Sequence, residues 1–142
     1  MSHSLVRLPV HLVFSTKNRA PLLGDHVRDA LHRYMSGVLS KLDCPPVLIN
    51  SVEDHVHILF NLGRSIALSK AVEDLKTSSS KWLKAQAGPS SAFRWQNGYG
   101  AFAVSETNVD AVRKYILRQR DHHKKRPIRQ NTGRCSRRTE LP

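Results

Sequence analysis

Along this chain the spacing of apolar residues switches repeatedly between two and 3.6, and that alternation limits the fold more than any other feature. In 5–15, "LVRLPVHLVFS", Val10, Leu12 and Phe14 alternate with His11, Val13 and Ser15, as in a strand with one buried face. Pro9 belongs at the edge or start of such a strand. After the basic loop "TKNRAPLLGD", Val27, Leu31, Tyr34, Met35, Val38, Leu39 and Leu42 recur at helical spacing from about Asp25 until "DCPP". "VLINSVED" and "HVHILFNL" read as two strands of a tight hairpin. A second helix is expected over roughly 66–86, with Leu68, Ala71, Val72, Leu75, Ser79, Trp82 and Leu83 buried and Lys70, Lys81 and Lys84 outside. "AFRWQNGYGAFAVS" suggests two short extended pieces around Gly98 and Gly100. A last helix starts near Thr107, which has capping-box spacing to Asp110, and runs to about Lys124 before Pro127. The order β-α-β-β-α-β-(β)-α predicts an α+β fold: an antiparallel sheet with helices packed mostly on one face, of ferredoxin or RRM (RNA-recognition) type.

The 142 residues suit one domain with a core of its own. Cys44 and Cys135 form no CxxC pattern, no apolar run is long enough to span a bilayer, and the N-terminus lacks the pattern of a secretory signal. These features predict a reduced, cytoplasmic protein. The net charge of +12 points to a polyanion, with nucleic acid first and membrane lipid second. Residues 111–142 hold 11 of the 23 basic side chains. A helix over 113–126 can align them along phosphates. Residues 127–142 predict a poorly ordered basic tail behind a domain of residues 1–126.

The stretch "DHVHILF" at 54–60 carries the first chemical signal. In a strand His55 and His57 share one face, and Val56, Ile58 and Phe60 share the other. Two imidazoles so spaced can hold one metal ion. They can equally stand on a solvent-facing edge strand and bind nothing.

In "VRKYILRQRDHH" Tyr115 and Gln119 lie four residues apart, with His122 seven on, all on one helical face. Tyr115 could also be a core aromatic of an amphipathic helix, and Gln119 a solvated residue. Taken with the histidines they fit one reaction. An ion on His55, His57 and Gln119 would draw charge from phosphorus, while Tyr115 attacks in line and conserves the bond as phosphotyrosine. A phenol ionises at about pH 10 in isolation, so the ion and the basic surroundings must assist. A site that surrounds its substrate favours single-stranded DNA over duplex.

Four blocks in order then resemble a known family. "HLVFSTKNRAPLL", "DHVHIL", "VEDLKTSSSKWL" and "WQNGYGAFAVSETNVDAVRKYILRQRDHHKK" are similar to the single-tyrosine HUH transposases, the TnpA-like transposases of small insertion sequences, over about 8–126. The resemblance implies one domain with a central antiparallel sheet, working as a homodimer. It implies recognition of hairpins at element ends and cleavage of single-stranded DNA with Mg²⁺ or Mn²⁺, leaving a 5′-phosphotyrosine and a free 3′-OH. Tyr115 would be the nucleophile and His55, His57 and Gln119 the metal ligands. The tyrosine helix can complete the partner's site in that family. Such a protein works in a bacterial or archaeal cell.

Weaker candidates surround these four. Lys17, Arg19, Arg113, Lys114, Arg118 and His122 are candidate DNA contacts. Trp95 and Tyr99 could stack on bases, with core packing favoured for Trp95. His11 reads as a structural histidine. Two rivals remain at this level. One is a hairpin-binding protein that has lost its catalysis, recognisable by chelator-insensitive binding. The other is a structural zinc protein, for which the sequence offers too few ligands.

Overall fold

The structure, a computed structural model, describes residues 5–87 and 93–119. Its elements run β1 (Pro9–Ser15), α1 (Asp25–Lys41), β2 (Pro46–Ser51), β3 (His55–Asn61), α2 (Leu68–Ala87), β4 (Gly100–Ala103) and α3 (Val109–Leu117). All strand pairs are antiparallel and the sheet order is β2-β3-β1-β4. This is the expected α+β, ferredoxin-like arrangement. Of the two extended pieces expected around Gly98 and Gly100, one is β4 and the other is a single bridge, Thr16 to Trp95.

The period-two pattern sorts the sheet into two faces. Val10, Leu12 and Phe14 of β1 lie opposite Phe60, Ile58 and Val56 of β3. All six are buried and form one core with Leu31, Met35 and Leu39 of α1 and Val72, Leu75 and Leu83 of α2. Each side chain of this size contributes about 1.5–3 kcal/mol on burial. Trp95 joins this core as expected: its indole N–H donates to Ser79 Oγ at 3.0 Å, and its ring meets Phe14 edge-on.

Two readings change. The alternative that placed the histidines on an edge strand falls, because β3 lies between β2 and β1. The capping box at Thr107 does not form. Glu106–Asn108 make a 3-10 turn ahead of α3, so Thr107 sits inside that turn and its hydroxyl pairs with Ser105 Oγ at 3.2 Å. Asn108 is the N-cap of α3, without a side-chain cap bond. The described α3 is Val109–Leu117, followed by Arg118 at φ −83° and ψ −6°, and the expected continuation to about Lys124 lies outside the described residues. The residues from 120 on, including His122 and the predicted tail, lie outside the described residues.

Candidate active site

β1–β3 pairing sets His57 opposite Val13, His55 opposite Ser15, and Leu59 opposite His11. On the other side of β3, Asn50 stands opposite His57. His55, His57, His11 and Asn50 therefore share the sheet face turned away from α1 and α2. Phe102 pairs with His11 across β1–β4 and joins the same face, half-exposed.

α3 closes over part of this face. Ile116 is fully buried, and its carbonyl accepts a hydrogen bond from Asn50 Nδ2 at 2.8 Å. That carbonyl belongs to the last turn of α3, whose acceptors have no intrahelical partner, so Asn50 both docks the helix and satisfies its end. The docking fixes Tyr115. Its ring stands edge-on to His57 at 6.1 Å and to His11 at 6.3 Å between centroids, yet 53% of the residue is exposed. An exposed phenol beside two imidazoles is not a core aromatic.

Each paired histidine is oriented by a neighbour. His55 Nδ1 donates to Asp54 Oδ1 at 2.8 Å, and Asp54 Oδ2 accepts from Arg19 Nε at 3.0 Å. Burial acts to raise the Asp54 carboxyl, but the bond to His55, the charge of His55 and then Arg19 bring it down to about 2. A carboxylate behind a metal-binding imidazole is a recurring arrangement. On the far side, His57 Nδ1 and His11 Nε2 lie 2.9 Å apart. Burial lowers His11 from 6.5 to about 4, and burial, with repulsion from His55 and His11, pushes His57 well below the usual imidazole range. Both rings are thus neutral near pH 7, the form in which imidazole ligates metals.

The donor set fits a divalent ion. Among the described residues His57 Nε2 is buried with no hydrogen-bond partner, a place where a cation would satisfy it. The rings of His55 and His57 are 5.0 Å apart. Among the described residues no three of His, Cys, Asp and Glu gather at one point. Gln119, half-buried, lies just beyond the Arg118 cap of α3.

The candidate DNA contacts divide. Arg113, Lys114 and Arg118 are exposed along α3, and Lys17 is exposed in the loop after β1. Arg19 is engaged with Asp54, although 57% of its side chain remains exposed. Sequence reasoning passed over Asn50, Asp54 and Phe102, and His11, read as structural, is paired with His57. Only Asp54 carried a local signal, since it directly precedes the paired histidines.

The sequence profile of the family described as "Transposase IS200 like" matches residues 4–119. The chain belongs to the IS200-like transposase family. Among solved structures it is similar to one from Deinococcus radiodurans R1 described as a "putative transposase". That similarity has 23% identity and a TM-score of 0.66, covering 84% of this chain and 95% of the other. It is also similar to a REP-associated tyrosine transposase bound to a REP hairpin, at 15% identity and a TM-score of 0.61, covering 87% and 74%. At these identities the two structures establish the fold of this IS200-like chain. No curated protein matches it. No helix among its described residues is long and apolar enough to cross a membrane.

Proposed function

We propose that this family member is a metal-dependent single-stranded DNA transposase that cleaves and rejoins strands at hairpin-bearing element ends through Tyr115. One observation carries the proposal: the exposed phenol of Tyr115 shares a sheet face with His55 and His57, one of which has an unpartnered buried nitrogen. His55, His57 and Gln119 would hold Mg²⁺ or Mn²⁺, which when bound supplies Lewis-acid withdrawal of charge from phosphorus. Two imidazoles, an amide oxygen and waters suit these octahedral ions better than tetrahedral zinc.

The remaining chemistry belongs to the chain. Tyr115 gives up its proton and its oxygen attacks the phosphate. The new bond joins phosphorus to the phenolic oxygen, and the bond to the 3′ oxygen breaks. That oxygen takes a proton and leaves as a 3′-OH, with the 5′ end held on Tyr115. Attack by another 3′-OH reverses the step and frees the tyrosine. The exposed Lys17, Arg113, Lys114 and Arg118 would pair with phosphates of the same strand. The relative solved with a REP hairpin supports a hairpin as the bound form of the substrate. The resemblance to single-tyrosine HUH transposases carries a homodimer into the proposal.

The test is a labelled single strand carrying a hairpin, incubated with protein and Mn²⁺. Wild type should give a covalent protein–DNA band that EDTA prevents and that Tyr115→Phe lacks. Tight binding with no such band would instead favour a hairpin-binding protein without catalysis.

A further inference from the structure

The site face holds a third imidazole that the proposed reaction does not use. His11 Nε2 lies 2.9 Å from His57 Nδ1, and the rings stack with 24° between their planes. A bond between two imidazole nitrogens needs one donor and one acceptor, so only two arrangements exist for neutral rings. In one, His11 donates, and His57 carries its hydrogen on Nε2. That hydrogen would be buried with no acceptor among the described residues, and orphaned buried N–H groups are rare. In the other, His57 Nδ1–H donates to His11, and His57 Nε2 holds a lone pair that a cation can take up. His55 supplies a parallel. Its Nδ1 faces the Asp54 carboxylate, which can only accept, so a neutral ring there would hold its lone pair on Nε2. Neighbouring histidines on one strand face are then set in the same tautomer by two different partners.

We infer that His11 is a positioning residue: by accepting from His57 Nδ1–H it fixes that imidazole with its Nε2 lone pair presented to the divalent ion. This inference rests on the metal-dependent reading above. His11 lies on β1, 46 residues from His57 in the chain, so the strand register itself delivers the acceptor.

Two variants separate orientation from packing. His11→Phe keeps an aromatic ring of similar bulk but offers no acceptor. His11→Gln places an amide oxygen near the position of Nε2. Long-range ¹H–¹⁵N spectra of the metal-free protein report the His57 tautomer, and Mn²⁺ titration followed by electron paramagnetic resonance reports affinity. Wild type and His11→Gln should show the Nδ1–H form of His57. His11→Phe should lose it and bind Mn²⁺ about 10- to 100-fold more weakly, with most of the affinity restored in His11→Gln. An Nε2–H tautomer in the metal-free wild type overturns the inference. So does equal weakening in both variants. Mn²⁺ bound as tightly by His11→Phe as by wild type removes the role of His11 and leaves the metal-dependent reading standing. A wild type with the Nδ1–H form that binds no Mn²⁺ brings down that reading, and the role of His11 toward an ion with it.

Discussion

His11 and His57 are imidazoles held neutral by burial, and that has a thermodynamic sign. For His11 the folded value is about 4 against an ordinary 6.5, so between those values the unfolded chain binds the extra proton. Stability therefore rises with pH across that window and is lost as the pH falls through it. The gap corresponds to about 3 kcal/mol for His11 alone. His57 acts in the same direction and extends the loss to lower pH. Asp54 adds a separate loss as the pH falls from 3.8 toward about 2, where its carboxylate is protonated. Thermal melts in metal-free buffer should show the midpoint falling steadily from pH 6.5 to pH 4, and His11→Gln should flatten that decline. The residue scale is also where the sequence was least legible. His55 and His57 announce themselves because they are two residues apart on one strand. His11 meets His57 only through the β1–β3 pairing, and a one-residue slip would turn it into the core. Arg19 reaches Asp54 from a loop in which Asn18 and Arg19 adopt positive φ of 57° and 58°, a conformation that Asn favours but that Arg does not signal.

Among the elements, β1, β3, α1 and α2 were readable because each has a long, regular apolar period and a core to bury it in. α3 was readable in kind but not in where it begins. Its start was misplaced because Thr107 and Asp110 mimic a capping box, while the backbone opens the turn at Ser105. Its seat on the sheet could not be read at all, since Asn50 is one polar residue in an otherwise ordinary strand. Asn50→Ala removes the side-chain donor to the Ile116 carbonyl and leaves that acceptor without its partner. The expected cost is about 1–3 kcal/mol, concentrated on α3. Hydrogen exchange should show faster exchange of α3 amides with β1 and β3 unchanged. Covalent adduct formation should fall and Mn²⁺ binding should weaken with it, because the proposed ligand Gln119 follows α3 while His55 and His57 stay on the sheet.

For the whole molecule, the ferredoxin-like topology explains how one small domain keeps its core and its candidate site apart. α1 and α2 cover one face with the apolar core, which leaves the other face for the histidines. In this arrangement Tyr115 stands beside the histidines of its own chain, at 6.1 Å from His57 between ring centroids. A homodimer built from such chains would carry two self-sufficient sites. Mixing Tyr115→Phe with His57→Ala protein should then yield no covalent DNA adduct, read on a denaturing gel. Recovery of the adduct would mean that the nucleophile crosses to the neighbouring subunit.

The tie between Asn50 and the Ile116 carbonyl bears on how such a protein could complete a two-ended reaction. α3 buries Ile116 fully and is tied to β2 by the Asn50 amide. The element that the proposal would join to DNA is thus held on the sheet by side-chain contacts and not by strand pairing. A detachable helix could ferry a severed 5′ end to a different 3′-OH while the histidine floor stays still.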